Sequence, residues 1–337
     1  MIQMLTKEKS GRDYSFDNLR FILIFCVIFA HMMEVCELFY GINFIYKAIY
    51  SFHIPLLLFL FGYFVKYNPK NIIFRWIIPY IVFQTVYVVF AKVILQVEFE
   101  FQYTTPYWLL WYLVACIAYQ CLLPLYSVFR GKSRLLILAL SFLAALLVGF
   151  DESVGFYMSL SRIIVFQPWF LLGVYSRESN IIDKVWENSS KKMMWIVAIF
   201  SGIGVVVSAF FIHMKQLPSP LLYGTHSYSR CGQTVWMRGA VIVICFIWLV
   251  FLCTAVKLIL NKKLPVITYI GQNTLPIFLL HGFIVQAIPV YCPAIVNSPW
   301  RVIILSCLLC GLLGNKWAKK AVYYISLSWL EKFVSNE

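Results

Sequence analysis

The chain is a succession of long apolar runs, near residues 19–35, 44–65, 72–97, 106–129, 135–150, 154–175, 193–213, 235–260, 266–290 and 299–313, parted by short charged segments. Most of these runs approach the ~20 residues a helix needs to cross a ~30 Å hydrocarbon layer. No water-soluble core could bury so much: 62% of the 337 residues are apolar and 12% charged, against about 45–50% and about 25% in an average soluble domain. A β-barrel would require segments of about ten residues that alternate strictly, and the stretch 241–252 does not alternate. The expected fold is all-α, a polytopic transmembrane helix bundle of about ten spans. The expected organisation is a membrane-embedded unit, 1–315, and a cytoplasmic amphipathic tail, 316–337. In that tail Lys319, Lys320 and Lys332 are interspersed with Trp317, Tyr323, Tyr324 and Trp329, a pattern suited to a membrane surface.

Basic residues are retained on cytoplasmic flanks. With the N-terminus inside, 21 of the 28 Lys and Arg fall on that side, the other seven being Lys47, Lys92, Arg162, Lys215, Arg230, Arg238 and Arg301. Both termini are therefore expected in the cytoplasm. Clusters such as Arg130, Lys132 and Arg134 are topology signals and contacts for lipid headgroups, so the +14 charge requires no nucleic acid. The first apolar run has no small-residue cleavage site and leads into His31 and Glu34, which favours a retained span over a signal peptide. The ten cysteines lack zinc-ligand spacing, and no metal is expected. Cys231 and Cys292 fall on two outer loops, where an oxidising compartment would permit a disulfide.

Ionisable residues at membrane depth cost about 2.5–3.5 kcal/mol each on insertion scales and are kept for use. Here they are His31 and Glu34 on the first span, His53 on the second, Arg162 on the sixth and His281 on the ninth, with Arg20 and Arg75 at inner helix ends. Arg20 and His31 are eleven residues apart, three turns plus ~20°, so they share a helix face about 16 Å apart along the axis. Glu34 follows His31 by three residues and shares that face. A histidine can take and return a proton at neutral pH, and a neighbouring carboxylate can fix its tautomer; a polar pair that only joins helices is the alternative. Arg75, with Lys70 before it, suits phosphate or plain anchoring at the inner face. His53, before Pro55, either serves a cavity or satisfies irregular backbone, and His281 is similarly placed before Gly282, which permits close approach. The longest outer loop, 214–234, carries Tyr223, His226, Tyr228 and Arg230, and its composition suits acceptor binding.

Several motifs together resemble the acyltransferase type 3 family of polytopic membrane enzymes that O-acylate saccharides and other envelope molecules. Phe16-Asp17-Asn18-Leu19-Arg20 followed by His31 is similar to the family's first-span signature, and Ser51-Phe52-His53-Ile54-Pro55-Leu56 with Gly62 to its second. The run Arg75 to Tyr80 resembles the third-span motif, and Tyr107 to Leu113 with Pro124 the fourth. Arg162 to Gly173 and Gly271-Gln272-Asn273-Thr274-Leu275 ending in His281 complete the order. Where the family often has a second basic residue three before the position of Arg75, this chain has Ile72, with Lys70 nearby. The set most resembles the fucose-type sugar O-acetylase branch.

The resemblance implies an acyl-coenzyme A donor, usually acetyl-CoA, and a hydroxyl acceptor, with the first-span Arg and His both needed. The assignments that follow are His31 and Glu34 as catalytic, Arg20, Arg75 and Lys70 as donor-binding, and His53, Arg162, Trp108 and His281 as acceptor-binding residues. The expected location is a bacterial plasma (inner) membrane. The alternative is a proton-coupled small-molecule transporter, with the same histidines and Glu34 as a relay; it would be favoured by interrupted helices repeated in two halves, and no such symmetry is visible.

Overall fold

In hydrocarbon every backbone N–H and C=O needs a partner within the protein, and a helix supplies it locally. A computed structural model of the protein describes residues 13–35, 43–98, 100–155, 157–296 and 298–334, and every regular element among them is helical. Among the described residues, nine helices are long and apolar enough to cross a membrane: Ser15–Val35, Asn43–Phe64, Pro69–Val93, Trp108–Val128, Lys132–Phe150, Tyr157–Glu178, Lys191–Met214, Val235–Ile259 and Thr274–Tyr291. They are called the first to ninth spans below. A tenth helix, Pro299–Leu313, turns through 68° into Lys316–Ile325, so the expected count of about ten is met, among the described residues, by nine helices and one bent pair.

The structure corrects the ninth expected segment, which is not one helix. It divides into Pro265–Gly271 and the ninth span, with Asn273 between them out of helical conformation. The Asn273 side chain folds back to donate to the Tyr269 carbonyl at 2.8 Å, and Pro276, which has no N–H, is suited to a new first turn. The third span also departs from regular geometry. Pro79 cannot donate to the Arg75 carbonyl one turn earlier, and residues Ile73–Ile77 widen into a π-helical turn in which the Ile78 N–H reaches the Ile73 carbonyl. Arg75 lies inside that turn.

The second span is the most enclosed, 72% of its apolar window being buried, whereas the fifth and seventh are only 22% and 17% buried and turn large apolar side chains such as Leu143, Phe200 and Val206 outward, as helices facing lipid do. Second and sixth spans pack backbone against backbone. A Cβ on Gly62 would lie 2.1 Å from the Phe170 carbonyl oxygen, and one on Gly173 would lie 2.1 Å from that of Phe59. The first span is tied to the segment 260–272 by polar side chains. Asn18, fully buried, donates to the carbonyls of Leu260 (2.6 Å) and Lys262 (3.0 Å) and accepts from the Thr268 hydroxyl at 2.7 Å. Gln272 donates to Asp17 at 2.8 Å, and Gly271 meets the Asp17 carbonyl, where any Cβ would collide at 1.8 Å.

The segment after residue 315 packs back on the bundle. Its helix Lys316–Ile325 is capped by Asn315 and exposes Lys319 and Lys320. Beyond it, Ser328 donates to the Phe74 carbonyl at 3.1 Å and Glu331 pairs with Arg75 at 3.4 Å. The face of the bundle that carries this tail and Asp13 is the terminal face; the loop 214–234 lies on the other.

Candidate active site

The first span sets the axis of the site. Arg20 is near its start on the terminal face, 3.3 Å from the Asp17 carboxylate and with its guanidinium 4.2 Å from the centre of the Phe64 ring. Three turns on, His31 presents its Nδ1 to Glu34 Oε2 at 3.2 Å. With Nδ1–H donating to that carboxylate, the tautomer is set and Nε2 holds the lone pair. The imidazole stands edge-on to Trp108, ring centres 4.5 Å apart, and 5.5 Å from His281. The His31 side chain is 13% accessible, so the imidazole is sheltered yet reachable.

The surroundings of His31 come from spans far apart in sequence. Trp108 opens the fourth span with φ near +35°, a conformation that a bulky residue holds only when its neighbours compel it. The segment leading into it is held by Gln84 of the third span, which is fully buried. Its amide nitrogen donates to the carbonyls of Gln102 (2.8 Å) and Thr105 (3.0 Å), and its oxygen accepts from the Tyr107 N–H at 2.8 Å. His281 donates from Nδ1 to the Ile277 carbonyl at 2.9 Å, leaving a buried Nε2 without a hydrogen bond. The close approach that Gly282 permits is to Tyr87, whose hydroxyl a Cβ would meet at 2.4 Å. His53 is buried and donates to the Ile49 carbonyl at 2.7 Å, with its ring edge-on to Tyr50 at 4.8 Å.

Arg162, on the sixth span, lays its guanidinium 4.7 Å from the centre of the Trp111 ring, and its Nε is buried without a hydrogen-bond partner. It lies near enough to Glu34, Tyr50 and Tyr223 to interact with them electrostatically. Six of the nine expected site residues, His31, Glu34, His53, Trp108, Arg162 and His281, thus gather into one cluster. The other three, Arg20, Lys70 and Arg75, stay at the terminal ends of the first and third spans. Lys70 is exposed in the opening turn of the third span, while Arg75 shares the Glu331 carboxylate.

Tyr46, Tyr50 and Trp111 were passed over at the level of sequence. The signal was present: Tyr46, Tyr50 and His53 stand at i, i+4 and i+7, one face of a helix. Tyr50 donates to Glu34 Oε2 at 2.9 Å and lies 3.4 Å from His31 Nδ1. The hydroxyls of Tyr46 and Tyr223 are hydrogen-bonded to each other, and the Tyr223 ring meets Tyr50 at 5.0 Å.

The loop 214–234 divides its aromatic residues between two tasks. Tyr223 reaches the cluster. Tyr228, by contrast, is buried, its N–H donating to the Gly149 carbonyl and its hydroxyl to that of Leu146, each at 2.7 Å. Arg238, also buried, donates to the carbonyls of Ala145 and His226 and lies over the Tyr228 ring at 4.6 Å. The loop is therefore a fixed cover over this end of the bundle. Burial, with Arg230 and Arg162 nearby, pushes the His226 imidazole below the usual histidine range. Cys231 and Cys292 are both free thiols, so the disulfide permitted by their loop positions is not formed. Among the described residues, no three His, Cys, Asp or Glu side chains are grouped to hold a metal ion.

A model of the family described as an acyltransferase domain matches residues 13–313, from the Asp13 end of the first span to the close of the helix Pro299–Leu313. No curated protein and no solved structure matches the chain. The matched segment contains the whole His31 cluster and the terminal-face residues Arg20 and Arg75. The chain belongs to the acyltransferase 3 family and is a membrane O-acyltransferase.

Proposed function

We propose that the enzyme moves an acyl group, acetyl in the first instance, from cytoplasmic acyl-coenzyme A to a hydroxyl of an envelope or lipid-linked saccharide on the outer side of a bacterial plasma membrane. The observation that carries the reading is the His31–Glu34 pair. A carboxylate on Nδ1 leaves Nε2 as a base, enclosed by Trp108 and His281 and on the same helix face as Arg20. The donor phosphates would meet Arg20 at the terminal face, with Lys70 and Arg75 beside them, and the pantetheine arm would span the ~16 Å to His31.

In the transfer step His31 Nε2 takes the proton of the acceptor hydroxyl as its oxygen attacks the thioester carbonyl carbon. The carbon–sulfur bond then breaks, and the same proton passes from His31 to the departing thiolate. Glu34 stabilises the imidazolium that exists between the two transfers. Arg162, with an unengaged Nε over Trp111, is suited to an acceptor oxygen or anionic group. Trp108 and Tyr223 offer faces for a sugar ring, and the bare Nε2 of His281 can accept from a second hydroxyl. Acetyl would cross the bilayer while coenzyme A remains on its own side.

The test incubates purified protein with labelled acetyl-CoA and a panel of envelope glycans, fucose-containing ones included, and follows label and free thiol together. Label in a glycan with stoichiometric thiol release is the expected result. Thiol release without any labelled acceptor, or no turnover with His31 intact, would remove the saccharide reading.

A further inference from the structure

Glu34 can serve His31 only if its carboxylate is held where Nδ1 points, and Glu34 stands in the last turn of the first span. A third of its side chain is accessible. A partly exposed glutamate has three rotatable bonds and no reason of its own to keep one rotamer. The second span supplies the constraint. The Tyr50 hydroxyl donates at 2.9 Å to Oε2, the same oxygen that faces His31 Nδ1 at 3.2 Å. A carboxylate oxygen has two lone pairs and can accept from both.

Tyr50 is itself fixed. It is 9% exposed, and its ring is packed against Tyr46 at 4.5 Å, His53 at 4.8 Å and Tyr223 at 5.0 Å. Its contact with His31 Nδ1 is long, 3.4 Å. Nδ1–H cannot be shared equally between a neutral phenol and a carboxylate, and the shorter, charged partner takes it. The tyrosine thus has nothing to donate to the histidine and one well-made bond to the glutamate.

From this geometry we infer that Tyr50 is a positioning residue for acyl transfer: it acts through Glu34, locking the carboxylate that orients His31, and touches neither donor nor acceptor. The inference rests on the reading of His31 and Glu34 as the base and its orienting partner. It also gives the loop 214–234 a reason to fold inward, since Tyr223 closes the ring stack that fixes Tyr50.

The experiment is a double-mutant cycle on the full-length enzyme, with kcat and KM measured for acetyl-CoA and for an accepted hydroxyl substrate. Tyr50→Phe keeps the ring and removes the hydroxyl, so the stack and the thermal midpoint should survive. The expected result is a fall in kcat of about 10- to 100-fold, the scale of effect when a reacting group is displaced by up to an ångström, with both KM values unchanged. Glu34→Ala should lower kcat at least as far. In the Glu34→Ala background, Tyr50→Phe should cost less than about twofold more, because a residue that acts only through Glu34 has nothing left to act on. Independent, multiplying losses, a raised KM, or full activity in Tyr50→Phe would each overturn the inference. If Glu34→Ala alone transfers at the wild-type rate, the dyad reading fails instead, and the two failures are distinct.

Discussion

Arg20 and His31 share a helix face but cannot touch the same atom, being about 16 Å apart, so their removal should affect different steps. His31→Ala should retain coenzyme A binding, measured by calorimetry, and lose transfer by about 10²-fold or more, as when a placed general base is deleted. Arg20→Ala should weaken donor binding because a phosphate loses a charge-assisted partner. Normal transfer by His31→Ala would make the histidine structural. Gln84 tests whether the enclosure matters. It has three hydrogen bonds to the segment that ends in Trp108, and Gln84→Leu leaves two carbonyls and an N–H to find other partners, at about 1–3 kcal/mol for each that stays buried and unpaired. The expected outcome is a lower thermal midpoint together with a loss of kcat, since the segment that leads into Trp108 loses the side chain that holds it. Lower stability with unchanged kcat would separate Trp108 from the chemistry.

The second and sixth spans form an element pair that carries part of the site, Tyr50 and His53 on one and Arg162 on the other. Their contact is made possible by Gly62 and Gly173, each opposite a backbone oxygen. Neither carbonyl can swing aside as a side chain could, so Gly173→Ala must push the helices apart. A cost of about 1–3 kcal/mol is expected for such overpacking, read as a lower unfolding midpoint in detergent with activity reduced in parallel. A midpoint equal to the wild type would show that the interface yields. At the terminal face, the pairing of Arg75 with Glu331 sets a carboxylate where a donor phosphate is proposed to bind. Both side chains are about a third exposed, 37% and 30%, and such pairs contribute only about 0–1 kcal/mol, so a phosphate could exchange for the carboxylate. Glu331→Gln should therefore lower KM for acetyl-CoA severalfold without changing kcat. A raised KM would mean that the tail supports Arg75.

For the molecule as a whole, the excess of Lys and Arg on the terminal face is the ground for proposing that this face is the cytoplasmic one. Cysteines introduced beside Lys132 and Lys262 should react only with membrane-permeant reagents, and ones beside Glu100 and Tyr223 with impermeant reagents applied outside; outside labelling at Lys132 would invert the orientation. The sequence by itself determined the class and most of the span count, because the length of an apolar run is a local quantity that the bilayer thickness reads directly. It also singled out five of the side chains that gather around His31 and Glu34 or form that pair, because an ionisable group in an apolar run is conspicuous one residue at a time. The break at Asn273, the tail reaching Arg75 and the division of the loop 214–234 between Tyr223 and Tyr228 were decided only by tertiary structure. So were the tyrosines around Glu34. Tyr46 and Tyr50 are ordinary residues for a membrane helix, and nothing local distinguishes a tyrosine at the lipid interface from one whose hydroxyl meets a carboxylate on another span. Only the close packing of the first, second and sixth spans, with the loop folded over them, brings Tyr50 to Glu34.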